Sequence, residues 1–344
     1  MSTTALEIVL PGRVEPNGLR VTHRDLPAPG PHQVIVRVEA SGISFAEQQM
    51  RRGKYYDQPA FPFVPGYDLV GTVIEVGAEV DPALVGRRVA ALTKIGGWSS
   101  RIVLDAADLV RVPAALDPAE AETFVVNGIT AWQMLHRTAA VRAGQTILVH
   151  GANGGVGSTL VQLARAAGIR VIGTASARNA AAVQALGATW IDYRGDVTAQ
   201  VRALAPNGVD AVFDHIGGPG IADSFGLLAP GGTLVSYGTA STKNDEGNSR
   251  LPVLRLFARL AWWNALPNKR NAHFYNIWAG KRNAARFRNR ITEDLGAVFD
   301  LAATGTLHAQ VAARIPLAEA GRAMELAESG TVTGKVVLVT DPEL

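Results

Sequence analysis

The chain has 344 residues, of which 47% are hydrophobic and 18% are charged; this composition excludes an intrinsically disordered protein and predicts two domains. It contains no cysteine, which excludes disulfide bonds, thiolate nucleophiles and zinc sites built on cysteine ligands. The formal net charge of +3 is too small to indicate nucleic-acid binding. Because the sequence shows neither a long apolar run nor a signal-peptide core, we expect a soluble, cytoplasmic protein.

The first third of the chain, from Leu6 to about Pro113, has a β pattern. Short β-branched runs such as HQVIVRVEASGI, LVGTVIEVG and SSRIVL are separated by Pro and Gly. This pattern predicts a β-rich, barrel-like domain.

From Gln145 to Gly238 apolar strands alternate with helices. The predicted strands are QTILVHG, RVIGTAS, TWIDY, VDAVFDHIG and GGTLVSYG. Strands joined in this way by helices form a parallel, doubly wound sheet of the Rossmann type, so the fold class is α/β. Near the end of the chain, HAQVAARI and GKVVLVT return to β character, and we expect them to pack on the first domain.

The strongest motif is VHGANGGVGSTLVQLARAAG, residues 149–168, where a buried strand leads through a glycine-rich turn into a helix. Backbone amides and the helix N-terminus then converge on one point, which suits a dinucleotide pyrophosphate. The predicted cofactor-binding residues of the turn are Ala152, Asn153, Gly154, Gly155, Val156 and Gly157. Ala152 replaces the first glycine of the usual G-x-G-x-x-G pattern, and the alternative is a plain strand-to-helix connection.

The end of the second strand of this domain indicates which dinucleotide binds. Ala175 occupies the place of the Asp or Glu that usually accepts hydrogen bonds from the ribose of NADH. Ser176 and Arg178 can instead donate to a 2′-phosphate, so we predict NADPH. Tyr193, at the end of the third strand, is predicted to edge the same pocket. Alternatively, Arg178 is a solvated residue at a helix start and Tyr193 an ordinary strand-end aromatic.

Several segments together resemble a known family. The chain resembles the zinc-free quinone oxidoreductase branch, with its zeta-crystallin-like and VAT-1-like proteins, of the medium-chain dehydrogenase/reductase superfamily. The segments that carry the resemblance are GKYYDQPAFPFVPGYDLVGTVIEVG, GGWSSRIVL, NGITAW, HGANGGVG, TASARN, FDHIGG and GKVVL.

The resemblance implies a GroES-like catalytic domain over residues 1–126, completed by 305–344, and a Rossmann domain over residues 127–304. The active site would lie in the cleft between the two. Thr130, Gly238 in the YGTA turn and Lys335 would contact the cofactor. As alternatives, Thr130 caps a helix, Gly238 ends a strand and Lys335 is solvated. The resemblance also makes a homodimer the expected assembly.

Zinc-dependent relatives carry Gly-His-Glu where this chain has GYD, with Tyr67 in the place of the histidine. Without a Lewis acid to lower the pKa of an alcohol, alcohol oxidation is not expected. We predict instead that hydride passes to a quinone or an α,β-unsaturated carbonyl, with no metal. Tyr55 and Tyr67 are the candidate proton donors, and the alternative role for both is hydrophobic lining.

Ser44 and Glu47 stand where many relatives have an Asn and an Asp close to nicotinamide and substrate. They are therefore candidate catalytic residues, and their difference from the relatives indicates a different substrate preference of the protein. The alternative is that Ser44 lies in a turn and Glu47 at a solvated helix start. Gln49 occupies a position that is aromatic in the family.

Residues 247–291 form a basic segment that contains no acidic residue. Its ten cations are Arg250, Arg255, Arg259, Lys269, Arg270, Lys281, Arg282, Arg286, Arg288 and Arg290. One face of a predicted helix is formed by Leu251, Leu254, Leu256, Phe257, Leu260 and Trp263. This segment has three possible roles: a dimer interface, a lid that attracts an anionic substrate, or attachment to anionic membrane or RNA. The second function considered is accordingly an NADPH-binding protein that attaches to membrane or RNA with little turnover.

Overall fold

The computed structural model describes residues 3–238 and 250–341. The chain divides into two compact units, Met1–Ile129 with Gly280–Leu344 (unit 1) and Thr130–Ala279 (unit 2). The order is the expected one, a β-rich unit interrupted by an α/β unit. The first boundary lies at Ile129, near the expected residue 126, but the second lies at Ala279 and not at residue 304.

Among the described residues, strands predominate in the first part of unit 1, and strands alternate with helices in unit 2. In chain order the strands are β1 Thr3–Val9, β2 Arg20–Leu26, β3 Gln33–Ile43, β4 Asp68–Val76, β5 Arg88–Leu92, β6 Arg101–Asp105, β7 Val110–Arg111, β8 Thr146–Val149, β9 Arg170–Ala175, β10 Thr189–Asp192, β11 Val209–Asp214, β12 Leu228–Ser236, β13 Asn271–Phe274, β14 Val311–Pro316 and β15 Lys335–Val339. The α-helices are α1 Phe45–Arg51, α2 Pro118–Trp132, α3 Gly155–Ala166, α4 Ala180–Ala185, α5 Val197–Leu204, α6 Ile221–Gly226, α7 Arg250–Ala265, α8 Ala284–Ala303 and α9 Ala320–Glu328.

Unit 1 is built on a seven-stranded sheet in the order β14-β15-β3-β4-β5-β7, with β6 also paired to β3. The late strand β15 joins this sheet antiparallel to β3, and β14 lies parallel to β15. Valines on alternate positions of β3 (Val34, Val36 and Val38) are buried against Leu69 and Val73 of β4. A slip by one residue would turn these valines to the opposite face, where Ile35 packs with Ala5 and Leu26, so the side-chain pattern favours one register.

Helix α8 belongs to unit 1, which explains why the second boundary differs from the expected one. Arg288 of α8 donates to Asp108 at 2.7 Å and to Asp105 at 2.8 Å. Val298 lies so close to Gly128 that a Cβ on this glycine would come within 2.8 Å of it. These contacts join residues far apart in sequence, so the local sequence pattern did not assign the helix to unit 1.

Unit 2 is a six-stranded sheet in the order β10-β9-β8-β11-β12-β13. All the strand pairs are parallel. The order runs outward from β8 through β9 and β10 on one side, and from β11 through β12 and β13 on the other. The direction of winding therefore reverses between β8 and β11, which is the point where doubly wound sheets bind ligands at their carboxyl edge.

Helix α7 buries only part of its predicted apolar side. Leu256 and Leu260 are buried, and the Trp263 ring stacks on Phe225 with centroids 4.3 Å apart. Leu254 and Phe257, which were predicted on the same side, are exposed. Helical spacing explains the result, because residues four and seven positions apart form the stripe that meets the sheet. The side chain of Leu251 and residues 247–249 lie outside the described residues.

Among the helices within residues 3–238 and 250–341, none combines the length and the apolar character that crossing a lipid bilayer requires.

Candidate functional site

The glycine-rich turn of residues 151–157 follows β8 at the carboxyl edge of the sheet in unit 2. Gly151 adopts a left-handed conformation with φ of 64°, and the extended Gly154 precedes the first residue of α3. A Cβ on Gly157 would lie 2.2 Å from the Gly151 carbonyl oxygen, so glycine allows α3 to approach the turn closely. The first amides of a helix have no partners within the helix. This geometry fits the pyrophosphate of a dinucleotide at residues 152–157.

The candidate 2′-phosphate residues follow the ends of the neighbouring strands β9 and β10. Ala175 ends β9 beside Asp192 of β10, and the Tyr193 amide donates to the Ala175 carbonyl oxygen at 3.4 Å. Ser176 is buried, whereas Arg178 and Tyr193 are exposed. Sequence reasoning missed Arg194, whose guanidinium lies 5.4 Å from the centre of the Tyr193 ring.

Thr130 and Gly238 also lie in unit 2. Thr130 is buried inside α2, two residues before its C-terminal residue, and so does not occupy a cap position that flanks the helix. Gly238 follows β12, and a Cβ there would lie 2.7 Å from the His215 carbonyl oxygen. The Tyr237 amide donates to the Asp214 carbonyl oxygen at 3.0 Å. The chain after β12 is thus packed against the chain after β11, while Thr239 and Ala240 of the YGTA turn lie outside the described residues.

In unit 1 the two candidate proton donors form a pair. The hydroxyl oxygens of Tyr55 and Tyr67 are 2.8 Å apart, and the rings meet edge to face. Tyr67 is buried and Tyr55 is partly buried. Burial, together with Tyr67, raises the pKa of Tyr55 well above its usual value, so this phenol keeps its proton.

Ser44 and Glu47 form a capping box at the start of α1. The Ser44 hydroxyl accepts from the Ala46 amide at 3.0 Å, and the Glu47 carboxylate accepts from both the amide and the hydroxyl of Ser44. The other Glu47 oxygen accepts from the Tyr67 amide at 2.6 Å. Glu47 is only 1% exposed, so the alternative of a solvated helix start is wrong for it. Burial, with Asp68 nearby, raises the pKa of Glu47. Its described contacts connect α1 to the backbone of Tyr67.

Lys335 lies in a buried ion cluster within unit 1, so the alternative that it is solvated is wrong. Its ammonium donates to Glu122 at 2.6 Å and to Asp68 at 2.8 Å, and Asp68 also accepts from the Val126 amide at 2.8 Å. A Cβ on Gly42 would lie 2.0 Å from the Lys335 side chain, so this glycine leaves room for the lysine. The cofactor contact implied for Lys335 stays a prediction.

Sequence reasoning missed the acidic partners of Lys335 and a polar group at the switch point of unit 2. Asp68 was visible in GYD, but Glu122 lies in α2 outside the NGITAW motif of that helix. The missed residues of unit 2 are His150, Thr174, Asp214 and Ser224, which are all buried. A signal was present for two of them, since His150 and Asp214 end neighbouring parallel strands. Among the described residues, no group of three or more His, Cys, Asp or Glu side chains has an arrangement that could hold a metal ion.

Comparisons with known proteins agree with this architecture. Residues 30–114 match the family model described as alcohol dehydrogenase GroES-like domain, and residues 186–338 match the one described as zinc-binding dehydrogenase. The human synaptic vesicle membrane protein VAT-1 homolog is 36% identical over 241 residues, which cover 69% of this chain. The matched region spans 60% of that human protein.

Solved structures cover nearly the whole chain. A quinone oxidoreductase from Pseudomonas syringae superposes with a TM-score of 0.84 at 30% identity, covering 97% of this chain and 99% of the other. Escherichia coli quinone oxidoreductase in complex with NADPH superposes with a TM-score of 0.84 at 26% identity, covering 98% of this chain and 100% of the other. The cofactor predicted from the sequence is thus the one held by a solved relative. The chain belongs to the zinc-free quinone oxidoreductase and VAT-1-like branch of the medium-chain dehydrogenase/reductase superfamily.

Proposed function

We propose that this protein is an NADPH-dependent oxidoreductase that reduces a quinone or an α,β-unsaturated carbonyl compound. The observation that carries the proposal is the carboxyl edge of the sheet in unit 2. There the turn at residues 151–157 offers amides to a pyrophosphate, and Ser176 and Arg178 follow a strand that ends without an acidic residue. The turn suits the pyrophosphate of either dinucleotide, and the strand end favours NADPH over NADH.

Arg178 is the residue we assign to the 2′-phosphate. A guanidinium can form two parallel hydrogen bonds with phosphate oxygens, and a carboxylate at the end of β9 would repel that phosphate. Ala175 removes this repulsion, and the Ser176 hydroxyl adds a donor or acceptor beside it. Tyr193 and Arg194 follow the neighbouring strand and supply a flat aromatic edge and a second cation.

The Tyr55–Tyr67 pair supports reduction of a carbonyl-conjugated acceptor. Bound NADPH supplies the hydride, which adds to an electron-poor carbon and places negative charge on the carbonyl oxygen of the acceptor. That oxygen, or the adjoining carbon of an enolate, then needs a proton. A phenol that stays protonated at neutral pH can hydrogen-bond to the charge or supply the proton, and solvent can return it to the phenol. The reaction consumes one hydride and one proton for each acceptor molecule, and its product is a hydroquinone or a saturated carbonyl compound.

The test compares NADPH and NADH oxidation with 1,4-benzoquinone and with a simple enone. We expect Arg178→Ala to raise the KM for NADPH by about tenfold or more, because it removes a charge-assisted hydrogen bond, and to leave the KM for NADH unchanged. Arg170→Ala is the matched control, because Arg170 is an exposed arginine at the opposite end of the same strand. Equal use of NADPH and NADH by the unmodified protein would contradict the role of Arg178. An absence of turnover with every acceptor would contradict the enzymatic function.

We propose as a second property that the exposed face of α7 binds an anionic membrane surface. Leu254, Phe257 and Trp262 are 62%, 44% and 64% exposed, and Arg255 and Arg259 lie beside them. An exposed helix face that combines large apolar side chains with cations is suited to lie in the interface of a bilayer with anionic headgroups. A contact between this face and the same face of a second copy would bring the arginines near one another, which disfavours that occupant.

Sedimentation with phosphatidylcholine vesicles, with and without phosphatidylserine, tests this second property. We expect binding only to the anionic vesicles, steep weakening by salt, and loss of binding in Leu254→Ser and in the double variant Arg255→Gln/Arg259→Gln. Leu204→Ser is the matched control, since Leu204 is 49% exposed at the end of α5 in the same unit. Binding to RNA in place of vesicles, or to neither at low salt, would contradict the proposal.

A further inference from the structure

Buried polar side chains connect the loops that follow β8 and β11, the two strands between which the sheet of unit 2 reverses its winding. Asp214 ends β11, and its Oδ1 accepts from the amides of Ile216 at 2.7 Å and Gly217 at 2.8 Å. Its Oδ2 accepts from the Ser224 hydroxyl at 2.7 Å. The carboxylate therefore fixes the backbone of residues 214–217 and also orients one buried hydroxyl.

The direction of that hydroxyl determines the tautomer of His150. Ser224 uses its only proton for Asp214, so its 3.0 Å contact with His150 Nε2 requires a proton on the imidazole nitrogen. In the neutral ring Nδ1 is then an acceptor, and it faces the Thr174 hydroxyl at 3.4 Å. The Thr174 hydroxyl oxygen in turn accepts from the Gly151 amide at 3.1 Å.

These groups form one directed chain of hydrogen bonds, which we call the His150 chain. It runs from the Gly151 amide through Thr174, His150 and Ser224 to the Asp214 carboxylate. Each donor along it has one acceptor, so loss of one hydroxyl leaves the polar groups on both sides of it without that partner. The chain begins at the glycine-rich turn and ends at the loop after β11.

The surroundings keep both histidines of this region neutral. Burial lowers the pKa of His150, although Asp214 acts in the opposite direction. The other titratable groups near it are His215, whose pKa burial also lowers, and Tyr237, whose pKa burial and Asp214 raise. The His215 ring packs on the turn, since a Cβ on Gly151 would lie 2.5 Å from it. A neutral ring with its proton on Nε2 is the form that the chain requires.

We propose that the His150 chain is a positioning device for NADPH, which holds the turn at residues 151–157 and the loop at residues 214–217 in one fixed arrangement. This inference rests on the proposed function, because it takes the carboxyl edge of unit 2 as the NADPH site. The residues of the chain are positioning residues: they act through the backbone of the two loops and have no assigned contact with cofactor or substrate. The two loops would carry the pyrophosphate-binding amides and the turn packed on Gly238.

The test uses Thr174, because one substitution can keep its volume without the hydroxyl and another can keep the hydroxyl with a smaller volume. Thr174→Val removes the hydroxyl, and we expect it to weaken the NADPH Kd by about fivefold, as for one lost hydrogen bond. Thr174→Ser keeps the hydroxyl and loses a buried methyl group, so it should retain affinity even where it lowers the unfolding temperature. Thr233→Val, the same change at a buried position of β12, is the control and should leave the Kd unchanged.

A double-mutant cycle with Ser224→Ala tests whether the chain acts as a unit. We expect the combined loss of affinity to be smaller than the product of the single losses, because the second change acts on a chain already broken. Unchanged affinity in Thr174→Val, equal losses in Thr174→Val and Thr174→Ser, or independent effects in the double variant would overturn the proposal. Failure of the unmodified protein to bind NADPH would instead overturn the proposed function, so the two failures are distinguishable.

Discussion

At the scale of single residues, the most unusual feature is a lysine buried with two carboxyl groups. Lys335, Asp68 and Glu122 are each at most 3% exposed. Burial alone would lower the pKa of Lys335, but Asp68 and Glu122 outweigh it and raise that pKa. Burial and Asp68 raise the pKa of Glu122 well above its usual value. Asp68 Oδ1 and Glu122 Oε2 have no hydrogen-bond partner among the described residues, so a proton on Glu122 removes an unbalanced charge.

This raised pKa predicts how stability depends on pH. The contribution of Glu122 is fully present below the pKa of an unfolded glutamate and is lost as the pH rises through the folded value. Glu122→Gln should therefore gain stability relative to the unmodified protein as the pH rises from the pKa of an unfolded glutamate to the raised folded pKa, by about 1.4 kcal/mol per pH unit, and should gain no more above the folded pKa. Urea unfolding at several pH values measures this difference. A difference in unfolding free energy that stays constant with pH would show that Glu122 does not take up a proton on folding.

A second prediction at this scale concerns Tyr67. Removing its hydroxyl in Tyr67→Phe deprives Tyr55 of a partner at 2.8 Å but leaves the backbone contact with Glu47. We expect kcat with an enone to fall by about tenfold and the NADPH Kd to stay unchanged, since positioned proton transfer contributes more than this in many enzymes. If enone turnover in Tyr67→Phe equals that of the unmodified protein, solvent supplies the proton.

At the scale of elements, two helical glycines of unit 2 differ in how closely other atoms pack around them. Gly157 of α3 has no room for a Cβ, whereas a Cβ on Gly226 of α6 would meet no atom within 4 Å. Gly157→Ala should push α3 off the turn, cost about 1–3 kcal/mol of unfolding free energy and weaken NADPH binding. Gly226→Ala should be neutral or stabilising by up to about 1 kcal/mol. Unfolding curves and NADPH titrations of both variants check this contrast, and equal behaviour of the two would contradict it.

The local sequence pattern predicted those elements that have a clear apolar run with turn residues on either side. The strands of the doubly wound sheet are apolar runs bounded by turns, so β8 through β12 and the glycine-rich turn were expected. Helix α8 and the polar edge strand β13, NAHF, have no such signal and went unassigned. For α7 the composition indicated a helix, but which stripe is buried depends on Phe225 and the sheet beneath it, and local periodicity does not contain that information.

The candidate site residues also fall into two groups, those that a local motif predicted and those whose contacts lie far away in sequence. Motifs predicted the turn at residues 152–157 and the residues after β9 as cofactor-binding, because a glycine-rich turn and a strand end can both be recognised in the local sequence. Ser44 and Glu47 were predicted as catalytic residues, with a turn and a helix start as the alternative; in the structure they cap α1, and Glu47 also accepts from the Tyr67 amide. The cap lies within a local sequence window, but the contact with Tyr67 could not be foreseen because Tyr67 lies outside it. For the same reason Glu122 and Lys335, 213 residues apart, showed no pattern as a pair.

At the scale of the whole molecule, NADPH should act as a stabilising ligand. A ligand that binds only the folded form at a concentration of about 100 times its Kd adds about 2.7 kcal/mol to the unfolding free energy. We expect this gain with NADPH and a much smaller one with NADH at the same concentration, measured by urea unfolding. The gain should vanish in Gly157→Ala. Equal stabilisation by both dinucleotides would contradict the preference for the phosphorylated one.

The pairing of β15 with β3 has a consequence for the order in which the molecule is made. Lys335 meets Asp68 across 267 residues of chain, and all of Thr130–Ala279 is synthesised between them. On the ribosome, unit 2 can therefore fold before β15 has paired with β3. At that stage the carboxyl groups of Asp68 and Glu122 still lack Lys335. Unit 1, although its synthesis begins first, is completed only after unit 2. A ribosome-bound chain stalled before β15 should therefore bind NADPH while unit 1 is still sensitive to protease.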